Sequence, residues 1–281
     1  PGARVINVAS GAGLRAIPMR GAYSPSKAGL IAQTRVLAKV RTDLTVTVLC
    51  PGFVRTELVD ALIASGRLSP VDAVAKIPLG RMAEPQEMAE ALFFLASAGA
   101  RSLSGACLSV DGGSSVFGGS QAFQPAAYTP VSFEASVRFQ LEACPSKTWE
   151  ATLSRVQPDD GASGYVATID FSALSCEKGQ VLHAVHKAAA RYAKCNGAGS
   201  SLTLLLPAED GHDMAWQTGG DMAAARMLVA TLACELGPQA MRINAIEIDK
   251  SIGQEAIVPL LAFVGGARAQ FLTGQIIRAR A

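Results

Sequence analysis

Short apolar runs cut by Gly and Pro alternate along this chain with longer stretches whose apolar residues recur every three to four positions. Val5, Ile6 and Val8 form a run that ends at Ser10. Residues 45–50 form a second run, stopped by Pro51-Gly52, and residues 106–110 a third, closed by Asp111-Gly112-Gly113. Runs of this length bounded by turn residues read as buried strands. The segment from Tyr23 toward the second run reads as a helix. A further helix is expected at Pro85, with Met88, Ala91, Leu92 and Leu95 at helical spacing. Strand, loop, helix, strand is the unit of a parallel α/β sheet. Between Pro51-Gly52 and Pro85, residues 57–79 read as two short helices split by Gly66 and Pro70.

Residues 112–132 are rich in Gly, Ser and Pro, and neither helical nor alternating spacing survives there, which marks a linker. The pattern then resumes. Residues 165–171 and 202–206 read as strands, and Val181–Cys195 as an amphipathic helix. Residues 231–246 echo 36–49, and 260–280 echo 94–113, so the chain reads as two related domains. The expected division is 1–113, a linker at 114–132, and 133–281. The echo is offset by about 195 positions at the helix and 169 at the final glycines, Gly105 and Gly274. The second domain is therefore shorter by about the length of the paired short helices.

Candidate chemistry concentrates in the first domain. Tyr23 and Lys27 are four apart at a helix start, which puts both side chains on one face. Ser10 ends the preceding strand, where open α/β sheets place their sites. A free phenol titrates near ~10 and is a poor base at neutral pH; an adjacent ammonium favours its phenolate. A phenol, an ammonium and a hydroxyl brought together suit proton transfer to or from a substrate oxygen.

With Asn-Val-Ala-Ser10, Tyr23-Ser-Pro-Ser-Lys27, Pro51-Gly-Phe-Val-Arg-Thr56, and the later stretches within residues 80–113, the chain resembles the short-chain dehydrogenase/reductase family over residues 4–113. The resemblance implies a Rossmann-like parallel sheet with helices on both faces. It also implies NAD(P)-dependent hydride transfer between the nicotinamide of NAD or NADP and a carbonyl or secondary alcohol. Tyr23 would transfer the proton, Ser10 would hold the substrate oxygen, and Lys27 would tune Tyr23 and bind the nicotinamide ribose. Pro51, Gly52, Val54 and Thr56 would cradle the nicotinamide. In motif wording the nearest subfamily is the 3-oxoacyl-thioester reductases. Residues 57–79 would be the substrate lid. Leu58, Leu62, Ile63, Leu68, Val74 and Ile77 there either line an apolar substrate or pack onto the sheet. The dinucleotide fingerprint that the resemblance places before the first strand is not found ahead of Arg4.

Gly11-Ala-Gly13-Leu-Arg-Ala16 fits a dinucleotide fingerprint in letters. Pro18 and Gly21 deny it the helix that would aim amides at a phosphate, so these glycines are expected only to shape the turn presenting Ser10. The second domain is expected to have lost the site. Thr218 and Met222 stand at the Tyr and Lys positions, Pro207-Ala208 follow the strand in place of Ser, and Glu247-Ile248 replace Pro-Gly. His183 and His186 lack a third ligand nearby, and His212-Asp213 lacks a nucleophile, so no metal or second catalytic site is expected.

Composition narrows the setting. Hydrophobic residues make up 49% of 281, ample for sizeable cores, and a net charge of +2 without a basic run speaks against nucleic acid. No apolar run spans a bilayer, and the chain opens on a strand pattern rather than a leader. The six scattered cysteines form no C-x-x-C pair, and a reducing, cytoplasmic location is expected. The second half is expected to pair with the first as an intramolecular pseudo-dimer, residues 225–236 against 27–40, or the chain to form homo-oligomers. The alternative function is a non-catalytic assembly or regulatory partner that keeps only the fold.

Overall fold

The computed structural model describes residues 2–18, 20–156, 165–208, 216–249 and 251–280. Two parallel sheets account for its strands. The first has the order β1 (Arg4–Val8), β2 (Thr45–Pro51), β3 (Cys107–Val110). The second runs β4 (Val137–Glu142), β5 (Tyr165–Asp170), β6 (Ser200–Pro207), β7 (Met241–Ile248), β8 (Ile276–Arg278). Within each sheet, neighbours in space are neighbours in sequence order, as crossover connections allow.

In the first sheet α1 (Tyr23–Val40) links β1 to β2. Between β2 and β3 come α2 (Glu57–Ala64), α3 (Pro70–Val74) and α4 (Pro85–Ala96). β2 is buried along its length because both faces are covered, whereas β1, at the edge, is only half-buried. Pro85 starts α4 where its missing N–H is no loss, and Glu84 and Glu87 close a reciprocal capping box. The Glu87 carboxylate also takes two hydrogen bonds of 2.7 Å from Arg81.

The linker carries no helix or strand among its described residues, yet it is tied down. Phe123 N–H donates to the Ala75 carbonyl, Ala126 N–H to Gly80, and the Tyr128 hydroxyl to Leu79.

In the second sheet α5 (Lys147–Ser154), α6 (Ser172–Ser175), α7 (Val181–Cys195), α8 (Trp216–Leu236) and α9 (Gln254–Gly265) connect successive strands. The sequence reading missed β4 and α5, although Val137, Phe139 and Leu141 alternate with polar residues as a strand requires. Arg242 is 2% exposed. It donates to the carbonyls of Val264, Gly265, Gly266 and Leu272 and to the Tyr165 hydroxyl. Its charge thus sits at the negative C-terminal end of α9.

The sequence echo has a counterpart in geometry. Gly105 and Gly274 both have positive φ, +81° and +75°, and each donates its N–H at 2.7 Å, to Val46 and to Ile243. Ala38 Cβ lies beside the one and Ala233 Cβ beside the other. The helices therefore correspond at an offset of 195. The strands correspond at 197, because Val48 pairs with Cys107 as Ala245 pairs with Ile276. Two extra residues in the turn at Gly237–Gln239 absorb the difference. One sequence-based correspondence is corrected by this register: Pro51-Gly52 matches Ile248-Asp249, one residue beyond Glu247-Ile248.

The two halves meet through the last helix of each. The Phe94 and Phe263 rings stack at 4.1 Å and 4°. Pro259 lies against Gly99, and Arg268 pairs with Glu90 at 3.7 Å. Phe94 and Phe263 are corresponding positions, 169 apart, and the other two contacts exchange partners: Glu90 corresponds to Pro259 and Gly99 to Arg268, each 169 apart. Position i touches j′ while j touches i′, the reciprocity of a two-fold pairing. The expected pairing of residues 225–236 with 27–40 does not form. Ala225, Val229, Ala233 and Leu236 are buried in their own half, among α7, β6 and β7, while Val36 and Val40 of α1 are 60% and 72% exposed. Both helices were apolar enough for an interface, but α8 spends its apolar face on its own sheet.

Candidate active site

The carboxyl ends of β1 and β2 gather most of the residues singled out from sequence. Ser10 follows β1 and caps a three-residue 3-10 turn, Gly11–Gly13, its Oγ accepting the Ala12 N–H at 3.2 Å. That turn packs on α1 so closely that a Cβ at Gly13 would lie 2.8 Å from the Lys27 carbonyl carbon. The close approach is what Gly13 serves. No helix opens at these glycines, which is the geometry a phosphate-binding turn would need.

Tyr23 is the first residue of α1 and Lys27 lies one turn on. Lys27 Nζ sits 5.6 Å from the Tyr23 ring centre and donates to the Val8 carbonyl at 3.2 Å. The ammonium thus bridges the phenol's helix and the end of the strand that leads to Ser10. Its other two N–H donors are left for a partner. The Tyr23 ring is 46% exposed, so an incoming molecule can reach its hydroxyl.

Pro51 ends β2, and Gly52 turns the chain across the sheet edge, its N–H donating to the Val110 carbonyl at 3.1 Å. A Cβ on Gly52 would stand 2.7 Å from Asp111 Cβ, so only glycine allows this approach. Val54 bridges to Ala83, and Thr56 caps α2 by accepting the Val59 N–H at 3.3 Å. The loop is also held in its middle, where Ala83 N–H donates to the Phe53 carbonyl and the Ala83 carbonyl accepts the Arg55 N–H, both at 2.8 Å.

Asp111 was read from sequence only as part of a strand terminator. It is fully buried, and its carboxylate accepts the Gly113 and Ser115 N–H groups at 3.0 and 2.9 Å. Burial pushes its carboxyl above the usual carboxylate range. The Asp-Gly-Gly triplet carried the signal, since an Asp before two glycines is a turn-forming side chain. Arg15, in the Ser10 loop, donates to the Ser114 carbonyl and joins the same turn.

The residues of the expected lid divide. Val74 and Ile77 are core residues, Leu62, Ile63 and Leu68 are half-buried, and Leu58 is 70% exposed. No residue of α2 is buried, so that helix stands off the sheet.

In the second half, Met222 occupies the position of Lys27 and is 1% exposed, and Pro207 stands where Ser10 does. His183 and His186 are exposed on α7. His212-Asp213 lies outside the described residues. Among the described residues, no helix is long and apolar enough to cross a membrane.

Residues 1–115 match the family described as Enoyl-(Acyl carrier protein) reductase. An uncharacterized short-chain type dehydrogenase/reductase of Sinorhizobium fredii is 48% identical over 115 residues, 40% of this chain and 21% of that protein. The 3-oxoacyl-(acyl-carrier-protein) reductase FabG of Thermotoga maritima is 34% identical over 111 residues, 39% of this chain and 44% of its own length. Among solved structures, one titled ElxO with NADP bound is 26% identical over 40% of this chain and 46% of that one. The TM-score is 0.38. The chain thus spans less than half of these relatives. Residues 1–115 are similar to the short-chain dehydrogenase/reductase family.

Proposed function

We propose that the chain is an NAD(P)-dependent oxidoreductase that moves a hydride between a nicotinamide cofactor and a carbonyl or secondary alcohol. A 3-oxoacyl thioester is the proposed substrate class. The observation that carries this reading is the placement of Lys27 Nζ, between the Tyr23 ring and the end of the strand leading to Ser10. The proposed subclass draws on relatives named as 3-oxoacyl-(acyl-carrier-protein) reductases, at 34% and 39% identity.

The residues present fit the nicotinamide end of such a cofactor. Lys27 offers donors to a ribose, and the Pro51–Thr56 loop is held in place at the end of the sheet by Val110 and Ala83. When bound, the cofactor supplies or takes the hydride. In reduction, the Tyr23 hydroxyl gives its proton to the substrate oxygen. The Ser10 hydroxyl donates a hydrogen bond to the same oxygen while Oγ keeps its bond from Ala12. The Lys27 ammonium stabilises the negative charge left on the phenolic oxygen. Pro51, Gly52, Val54 and Thr56 hold the nicotinamide ring against this trio. The six cysteines, all free thiols, suit the proposed cytoplasmic setting.

For residues 133–281 we propose a degenerate second copy with an assembly role. A buried Met222 in place of Lys27 supports it. The test is a parallel titration of NADH and NADPH, followed by reduction of an acetoacetyl thioester by wild type and by Tyr23→Phe. Turnover by wild type and its loss in Tyr23→Phe with cofactor binding intact is the expected result. A Phe variant within threefold of wild type rules the assignment out.

A further inference from the structure

Phe271, in the loop between α9 and β8, is wholly buried, yet much of what it touches belongs to the first half. Its carbonyl accepts the Gly112 N–H at 2.9 Å. Its ring lies where a Cβ on Gly112 would point, with ring carbons 2.8 and 2.9 Å from that position, and Gly112 has φ +67°. The Arg81 guanidinium covers the ring at 4.8 Å. Beside it, Gln275 Nε2 donates to Ser115 Oγ at 3.3 Å, and Thr273 packs on Gly113. The second half therefore grips the turn 111–115 through ring, carbonyl and amide.

Three parts of the candidate site hang on that same turn. Asp111 backs Gly52, at the distance that forbids any side chain there. The Gly112 carbonyl accepts the Leu79 N–H at 3.2 Å and so holds the base of the segment bearing α2 and α3. The Ser114 carbonyl accepts from Arg15, in the loop that begins at Ser10. Gly112 and Gly113 have no side chains of their own, so beyond the two hydrogen bonds to Asp111 the place of this turn is set by what fills the space around it. Close-packed interiors pass a displacement on rather than absorb it.

We propose that Phe271 is a positioning residue: through its ring and carbonyl the second half fixes the 111–115 turn, and through that turn the Pro51–Thr56 loop. The structural half of this claim stands on the contacts alone. Its consequence for cofactor binding rests on the oxidoreductase reading given above. It assigns the half without counterparts of Tyr23 and Lys27 a share in the site of the other.

The experiment compares amide hydrogen exchange and NADPH affinity in the full chain for wild type, Phe271→Ala, Phe271→Met and Val229→Ala. Val229 is buried in the second half, in the cluster between α7, α8 and the sheet, and serves as a control that loses stability elsewhere. Phe271→Ala is expected to speed exchange at Gly52 and Leu79 at least tenfold and to weaken NADPH binding at least tenfold. Phe271→Met, which refills most of the space, should return both to within threefold of wild type. Val229→Ala should move neither. Should Phe271→Ala fail to fold, Phe271→Leu carries the same comparison with a threefold threshold. Unchanged exchange at Gly52 and Leu79, or an equal change in Val229→Ala, overturns the proposal. Wild type that does not bind NADPH refutes the oxidoreductase reading, while the exchange measurements still decide the coupling.

Discussion

Tyr23 and Lys27 were legible from four letters' spacing, because a helix converts i and i+4 into neighbours whatever surrounds it. Asp111 and Arg242 were not, because what defines them is burial and partners brought from far along the chain. For Tyr23→Phe the expected loss of turnover is roughly 10²–10⁴-fold, the range of general acid–base contributions, measured as kcat on a thioester substrate. For Arg242→Met, four carbonyls and a phenol lose their donor inside the protein. At about 1–3 kcal/mol for each unsatisfied buried group, partly relieved by relaxation, the variant should lose about 3 kcal/mol or more in denaturant titration. Asp111 gives a pH dependence. Its native pKa is raised by burial, so the folded state binds the proton more tightly than the unfolded one. Its contribution to stability is present below the unfolded value and is lost as pH rises through the native one. Asp111→Asn does not titrate there. The melting temperature of wild type relative to Asp111→Asn should therefore fall as pH rises above the ordinary carboxylate range, and a constant gap would contradict the assignment.

Elements were most readable where burial is two-sided. β2 and β6, rich in apolar residues and buried along their length, stood out from the apolar pattern, whereas β7, which carries Arg242, Asn244 and Glu247, was legible through its echo of β2. β4 did not, because at a sheet edge its alternation of Val137, Phe139 and Leu141 with charged and polar residues is a weaker signal. The register of β7 was misplaced by one because the preceding turn is two residues longer than in the first half, and a short turn leaves no periodic mark. That turn ends on Ala240, which holds φ +56° where glycine is at ease, its N–H donating to Gly237 and its carbonyl accepting from Gly199. Ala240→Gly should relieve the left-handed conformation and raise stability by about 1 kcal/mol, net of the added freedom of the unfolded chain. Chemical denaturation at constant m-value checks it, and a loss of stability would mean that the Ala240 methyl contributes more by packing than the conformation costs.

At the scale of the whole molecule, the sequence announced two related halves but not how they meet. Apolar faces on α1 and α8 were equally visible in sequence, and nothing in the periodicity of α4 and α9 ranks them higher as partners. The choice is made by residues on the contact itself, Phe94 stacked on Phe263. In a double-mutant cycle of Phe94→Ala and Phe263→Ala, the coupling energy should fall near 0.5–1.5 kcal/mol, as for stacked aromatic pairs. Additivity within error would show that each ring acts only within its own half.

A surface that pairs with its own copy is constrained twice by every change, since one residue appears on both sides of the axis. Read as a duplication, the join in this chain has escaped that rule. One corresponding couple is the ion pair Glu90–Arg268, and the other is Pro259 against Gly99. A symmetric assembly would have to use one solution for both. Once the sides differ, neither half is the best partner for another copy of itself, and on the proposed reading the peptide chain fixes the ratio of the half bearing Tyr23 and Lys27 to the half bearing Met222 at one to one. Cofactor titration should then saturate at one equivalent per chain, where a symmetric pair of the same mass would take two. On the proposed reading, with Tyr23 and Lys27 in one half and Met222 in the place of Lys27 in the other, the binding curve should be a simple hyperbola.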